Sequence, residues 1–283
     1  MSASAKQQTV TFPLGHAVPA LGLGTWRMGE SRRRRADEIA ALRLGLDLGM
    51  TVIDTAEMYG DGATERLVGE AIDGRRHEVF LVSKVLPSHA KRRQTLAACA
   101  ASLKRLRTDH LDLYLLHWRD RTPLHETVGA FAQLVEEGKI RHWGVSNFEL
   151  SDMDEVLATR GGSAVSCNQV LYNLSRRGIE FDLLPWCRER DIAIMAYSPI
   201  EQARLLRHEA VKRVAVRHGA TPAQVSLAWA LRQDGVIAIP KAGTPEHVRE
   251  NHGALALRLT SDDFGELNEA FPPPREPRPL EMI

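Results

Sequence analysis

A short apolar segment followed by an amphipathic helical stretch recurs eight times along this 283-residue chain. Segments such as VIDTA, FLVSK, LDLYLLH and AIMAYSP are apolar without alternation, which is typical of strands that are covered on both faces. Strands that alternate with helices favour a parallel sheet. We therefore predict a (β/α)8 TIM barrel, with a doubly wound open sheet as the competing arrangement. The predicted strands are residues 21–22, 51–54, 79–84, 111–117, 142–145, 165–169, 193–197 and 236–239.

The segments between these strands have helical patterns, and both ends of the chain differ from the repeat. Thr221-Pro222 is typical of an N-cap followed by proline in the first helical position. Thr9–Phe12 and the turn at 13–16 predict a β-hairpin before the first barrel strand, whereas the tail PPPREPRPLEMI excludes a helix or a central strand. No linker divides the sequence, so residues 1–283 are predicted to form one barrel domain. The predicted helices are residues 35–48, 64–72, 92–106, 124–137, 150–157, 182–190, 206–217 and 223–232.

Charge and cysteine usage limit the partners that such a barrel can have. The 37 basic and 36 acidic residues give a net charge of +1, which argues against a general nucleic-acid or membrane-surface binder. The arginine run 32–35 is interpreted as a solvated helix face. Cys99, Cys167 and Cys187 are odd in number and widely spaced, so we expect reduced core thiols. With no long apolar stretch either, we expect a cytoplasmic protein with no membrane or nucleic-acid partner.

Reactive side chains stand where the second, third and fourth predicted strands end. They are Asp54, Lys84 and His117, and Tyr59 follows in the loop after Asp54. Catalytic residues of TIM barrels come from the carboxyl ends of several strands. Each residue alone has an ordinary structural explanation: a turn cap, a snorkelling lysine, a half-buried histidine and loop packing. Together on neighbouring strands they predict one catalytic site.

Several segments, in order, resemble the signature blocks of the aldo-keto reductase family. They are GLGTWRMG, VIDTAEMYGDGATERLVGEAI, FLVSKV, SLKRLRTDHLDLYLLHW, GKIRHWGVSNF, NQVLYN, MAYSPI and AIPKAGTPEHVREN, and they cover nearly the whole chain. The branch that the chain most resembles is that of small bacterial reductases for methylglyoxal and other short aldehydes. The resemblance implies a barrel that binds NADPH without a Rossmann domain, in agreement with the missing GxGxxG fingerprint.

The resemblance also implies the catalytic roles. Tyr59 is expected to protonate the carbonyl oxygen while a hydride reaches the carbon. Lys84 is expected to lower the pKa of the phenol, and Asp54 to keep Lys84 protonated. His117 is expected to direct the carbonyl oxygen toward Tyr59.

For the cofactor, the family pattern places a cation opposite the 2′-phosphate, and Lys241 holds that position. Six residues later the family commonly has arginine, where this chain has His247, so we expect a smaller preference for NADPH over NADH. The loop that begins at Ser198 lacks the usual glycines, which leaves its pyrophosphate contacts open. The cofactor residues implied by the resemblance are Gly24, Thr25, Asp54, Ser146, Asn147, Gln169, Tyr197, Ser198, Lys241, His247, Glu250 and Asn251.

The substrate is expected to be a small carbonyl compound. Short loops and a short tail predict a shallow pocket, which favours aldehydes and 2-oxoaldehydes over large ketones. Members of the family are often monomeric, so a monomer is expected. The residues predicted to line the mouth are Trp26, Met28, Tyr59, His117 and Trp118, with Met58 as a further candidate.

Two other functions are compatible with a barrel of this kind. An NADPH-binding redox sensor with slow turnover would keep the cofactor site but would not need the complete catalytic set. A metal-dependent barrel hydrolase would need clustered histidines, and His117 has no histidine partners at the other strand ends. We expect no bound metal.

Overall fold

The computed structural model describes residues 8–283, and its amino end is a two-stranded hairpin. Strands β1 (Thr9–Phe12) and β2 (His16–Pro19) pair antiparallel, as predicted. The ring centroid of Phe12 lies 4.9 Å from that of Phe80 and 5.6 Å from that of His142. Because Phe80 and His142 stand near the amino ends of barrel strands, the hairpin covers the end of the barrel opposite the predicted site.

Eight parallel strands follow in sequence order and form one sheet. Parallel bridges between Leu21 and Ala238 and between Gly24 and Lys241 join its two edges. A Cβ atom on Gly24 would stand 2.6 Å from the Ile239 carbonyl oxygen, so this closure requires glycine. The closed sheet confirms the (β/α)8 barrel over the open-sheet alternative. The strands are β3 (Leu23–Gly24), β4 (Val52–Asp54), β5 (Phe80–Val85), β6 (Leu111–Leu116), β7 (Ile140–Ser146), β8 (Val165–Leu171), β9 (Ala193–Tyr197) and β10 (Val236–Ala238).

Helices surround the strands, and the described residues form ten of them. The predicted cap is present: Thr221 accepts from the Gln224 backbone at 3.3 Å, and the Gln224 side chain accepts from the Thr221 backbone at 3.0 Å. The last two helices were not predicted. The helices are α1 (Arg35–Asp47), α2 (Ala63–Ala71), α3 (Arg92–Leu106), α4 (Leu124–Glu136), α5 (Leu150–Ala158), α6 (Leu183–Arg188), α7 (Glu209–Arg217), α8 (Pro222–Ala230), α9 (Pro245–Gly253) and α10 (Ser261–Ala270).

The tail, residues 272–283, has neither helix nor strand and runs back along the barrel toward the predicted site. Arg177 holds its start by donating to the Phe271 carbonyl at 2.5 Å. Near its end, the Leu280 backbone donates to Glu149 at 2.9 Å. Among residues 8–283, no helix is long and apolar enough to cross a membrane.

Candidate active site

A buried lysine forms the floor of the site at the carboxyl ends of β4 and β5. Its ammonium Nζ lies 2.8 Å from each carboxylate oxygen of Asp54 and 2.9 Å from the Thr55 carbonyl oxygen. Lys84 has no exposed surface, and Asp54 is 2% exposed. Fixed acceptors therefore hold the ammonium in place.

The other two predicted catalytic side chains reach the same place. Tyr59 lies in a short 3-10 turn between β4 and α2, and its hydroxyl is 3.3 Å from the Lys84 ammonium. His117 directly follows β6, and its ring meets that of Tyr59 edge to face at a centroid distance of 5.9 Å. The structure thus brings together the three side chains that the sequence placed at strand ends and the tyrosine that it placed in a loop.

Burial and charge set the protonation of the two basic groups. Burial alone would lower the pKa of Lys84, but the Asp54 charge and the hydrogen bonds to Asp54 and Tyr59 outweigh burial and hold that pKa above its ordinary value. Burial, with the Lys84 charge, lowers the pKa of His117 to about 3. At neutral pH, Lys84 is therefore an ammonium and His117 a neutral imidazole.

The pKa of Tyr59 is raised, whereas the sequence analysis expects Lys84 to lower it. Lys84 lowers this pKa as expected, but burial of the phenol raises it by more, and the Asp54 charge also raises it. The net pKa lies above the ordinary value for tyrosine. Tyr59 therefore keeps its proton at neutral pH.

A chain of polar side chains joins this floor to the neighbouring strands. Gln169 Nε2 donates to Asp54 Oδ1 at 2.8 Å, and the Ser146 hydroxyl donates to the backbone carbonyl of Gln169 at 2.8 Å. Asn147 Nδ2 lies 3.1 Å from the Ser146 hydroxyl, and the Tyr197 hydroxyl donates to Asn147 Oδ1 at 2.9 Å. Since these bonds span β7, β8 and β9, the strands fix where the amide groups point.

These groups line a cavity of about 680 Å³ at the carboxyl end of the barrel. Lys84 is not on the wall and lies beneath it, in contact with Asp54 and Tyr59. Trp26 and Met58 are exposed at the rim. The other predicted residues on the wall are Gly24, Thr25, Asp54, Tyr59, His117, Trp118, Ser146, Asn147, Gln169, Tyr197, Ser198, Lys241, His247, Glu250 and Asn251.

The part of the cavity near β10 has the character of an anion site. Lys241 makes no salt bridge with any other residue in 8–283 and lies on the wall together with Arg27 and His247. Partial burial, together with the charge of Arg34, lowers the pKa of Lys241. An ammonium without a bound carboxylate in a cavity is suited to an anionic ligand. The same cavity therefore offers amide groups beside the Asp54–Lys84 pair and a free cation beside β10.

The prediction that Met28 lines the mouth of the cavity is wrong. It is fully buried and does not line the cavity, and its carbonyl accepts from the Thr64 hydroxyl at 2.6 Å. Arg27 adopts a left-handed φ of 62°, and the chain turns there. This turn leaves Trp26 exposed at the rim and Met28 in the core.

The tail contributes to the cavity, which the sequence analysis does not predict. Met282 and Ile283 line the cavity although the tail was predicted to be too short to deepen it. Burial raises the pKa of Tyr197 to about 12, although an interaction of its hydroxyl with the backbone of Ile283 lowers that pKa in part. Sequence reasoning missed these two residues because the tail has no periodicity from which to infer its path.

No metal centre is formed by the described residues, since no three His, Cys, Asp or Glu side chains in 8–283 are placed to hold an ion.

Comparisons with a family model, with curated proteins and with solved structures all point to the same family. The family model described as "Aldo/keto reductase family" matches residues 20–271. The chain is 48% identical to methylglyoxal reductase YeaE of Escherichia coli K12, over 98% of this chain and 100% of the relative. Two crystal structures of a Klebsiella pneumoniae aldo/keto reductase, one with NADP and acetate and one with NADPH, have TM-scores of 0.96 and are 51% identical. Each alignment covers 98% of this chain, and it covers 100% of the chain with NADP and acetate and 99% of the chain with NADPH.

Proposed function

The chain belongs to the aldo/keto reductase family, and from that premise we propose that it reduces small aldehydes and 2-oxoaldehydes with NADPH. The observation that carries the proposal is the Tyr59 hydroxyl held 3.3 Å from a buried ammonium on the floor of a cavity. A protonated phenol beside a fixed positive charge is suited to give its proton to a carbonyl oxygen. The methylglyoxal reductase relative and the NADP-bound neighbours support the substrate class and the cofactor.

The residues present fit the cofactor at both ends of the cavity. Ser146, Asn147 and Gln169 offer amide and hydroxyl groups to the nicotinamide carboxamide, and the Tyr197 ring lies beside them on the wall. Lys241 offers its free ammonium to the 2′-phosphate. When bound, NADPH supplies the hydride.

Proton delivery depends on the charge arrangement around Tyr59. Its raised pKa keeps the phenol protonated until the carbonyl oxygen gains negative charge. The Lys84 ammonium then stabilises the phenolate that remains. Asp54 holds Lys84 through both of its oxygens and maintains its positive charge.

His117 orients the carbonyl group. Its Nδ1 is buried and has no hydrogen-bond partner among residues 8–283. A lone pair on Nδ1 leaves the N–H of the neutral ring on Nε2, which is free to donate to the carbonyl oxygen. Two donors, His117 and Tyr59, then converge on one oxygen.

The test is steady-state kinetics of the purified protein with methylglyoxal, glyoxal and a larger aromatic aldehyde, each with NADPH and with NADH. We expect turnover with NADPH, lower kcat/KM with NADH, and preference for the short substrates. Tight NADPH binding without turnover of any aldehyde would contradict the proposal and favour a redox-sensing role.

A further inference from the structure

One arginine connects two segments that both border the cavity. Arg176 lies in the loop after β8, and its Nε and Nη2 donate to the same Glu201 oxygen at 3.1 and 3.0 Å. Its Nη1 donates to Glu281 in the tail. Glu201 follows β9, and Glu281 is near the end of the sequence, so a single guanidinium joins parts of the chain that are distant in sequence.

The first of these segments, residues 198–203, forms a wall of the cavity. Three consecutive residues, Glu201, Gln202 and Ala203, have left-handed φ values of 49°, 50° and 69°. Residues other than glycine adopt this backbone conformation only when the surrounding structure enforces it. The buried Glu201 carboxylate provides the anchor, because Arg176 binds one oxygen and Asn173 donates to the other at 2.7 Å. Gln202 and Ala203 then face the cavity.

The second segment carries an apolar lip, which we define as Met282 and Ile283. Both side chains are about half exposed, at 53% and 54%, while they line the cavity. They follow Glu281 directly, so the bond to Arg176 fixes where the lip begins. The backbone of Ile283 interacts with the Tyr197 hydroxyl, and both lip residues line the same cavity as Tyr59 and His117. Exposed apolar groups at the rim of a polar cavity provide contact area for the organic part of a ligand.

We propose that Arg176 is a positioning residue that links the cofactor-side wall at 198–203 to the apolar lip, and thereby links NADPH binding to the selection of the substituent on a 2-oxoaldehyde. The inference rests on the proposed function, since it takes the wall, which begins at the predicted cofactor residue Ser198, as the cofactor side of the cavity and the lip as the substrate side. A bound cofactor that immobilises the wall also restricts the movement of Glu201 and Arg176. Because the same guanidinium holds Glu281, the lip is ordered at the same time.

Two substitutions in the tail test whether Arg176 connects the wall to the lip. Glu281→Ala removes the tail contact of Arg176 and leaves the Arg176–Glu201 pair in place. Glu276→Ala is the matched control, because Glu276 is exposed in the same tail and makes no ion pair with any residue in 8–283. We expect the control to match the wild type in every measurement below.

Substrate selection is measured with methylglyoxal and phenylglyoxal, which differ only in a methyl or phenyl group beside the same 2-oxoaldehyde. Arg176 and Glu281 are partly exposed, so Glu281→Ala should lower the ratio of kcat/KM for phenylglyoxal to that for methylglyoxal by about two- to fivefold, through KM. The double variant Met282→Ala, Ile283→Ala removes the lip itself and should lower the ratio by about tenfold. An unchanged ratio in both variants would overturn the assignment of the lip.

The link itself is measured by amide hydrogen exchange of the tail, residues 272–283, with and without saturating NADPH. In the wild type and in Glu276→Ala, NADPH should slow exchange of the tail by about two- to fivefold, and Glu281→Ala should abolish the effect. Slowing that persists in Glu281→Ala, or a wild-type tail that does not respond to bound NADPH, would overturn the role of Arg176. Failure of NADPH to bind the wild type in a fluorescence titration would instead refute the proposed function, on which this link depends.

Discussion

Replacing Lys84 by methionine tests both the stability and the chemistry of the site. Lys84 is fully buried and bound to both oxygens of Asp54, which is 2% exposed. Removing one partner of a buried ion pair leaves an uncompensated charge and costs about 3–5 kcal/mol. We expect Lys84→Met to lower the free energy of unfolding by that amount.

The same change removes the charge that stabilises the phenolate of Tyr59. At the observed 3.3 Å, with an effective dielectric constant of about 20, the attraction is about 5 kcal/mol. If the proton is about half transferred in the transition state, roughly half of this is lost, and kcat falls about 70-fold. Complete transfer sets the upper limit at about 5000-fold.

A double variant, Asp54→Asn with Lys84→Met, separates the two effects. Without Asp54 no buried carboxylate is left unpaired, so the free energy of unfolding should return to within about 2 kcal/mol of the wild type. Turnover should remain low because the phenolate still lacks its cation. Chemical denaturation and kcat for methylglyoxal at saturating NADPH are the two measurements. A double variant that regains wild-type turnover, or a Lys84→Met protein with kcat close to wild type, would refute the reasoning.

Two further predictions concern His142 and His247, which lie outside the cluster around Lys84. Burial, together with the charge of His16, lowers the pKa of His142 to about 4, so the folded state binds fewer protons than the unfolded state between that pH and about 6.5. Stability should fall as the pH drops through this range, and His142→Phe should flatten the slope by up to about 1.4 kcal/mol per pH unit in denaturation curves; identical slopes would contradict this. His247→Arg should add a guanidinium beside Lys241 and lower KM for NADPH by about tenfold, with KM for NADH unchanged; an equal change for both cofactors would contradict the 2′-phosphate assignment.

The clustering of Asp54, Tyr59, Lys84 and His117 was predictable from the sequence because three of them end predicted strands and the fourth follows in a loop. Apolar runs that end in Asp54, Lys84 and His117 place those side chains at one end of a parallel barrel, whatever the details of packing. The first strand was predicted at residues 21–22 but lies at Leu23–Gly24. Such a short segment has no internal pattern to define its ends, and here the ends depend on closure against Ile239 and Lys241.

Features set by tertiary contacts were not predictable in the same way. The path of the tail depends on Arg176, which is 105 residues away from Glu281 in the sequence. The inward direction of Met28 depends on a left-handed residue that is not glycine. The raised pKa of Tyr59 depends on how deeply the phenol is buried, and the sequence shows only the opposing charge of Lys84.

The proposed function depends most directly on Tyr59 giving its proton to the carbonyl oxygen. Its most direct test is the single-turnover rate of NADPH oxidation by methylglyoxal in wild type and in Tyr59→Phe, with NADPH affinity measured on both proteins. We expect a rate about 10²- to 10⁴-fold lower in Tyr59→Phe, with NADPH affinity within about twofold of wild type. A Tyr59→Phe protein that binds NADPH normally and keeps its rate within about threefold would contradict it.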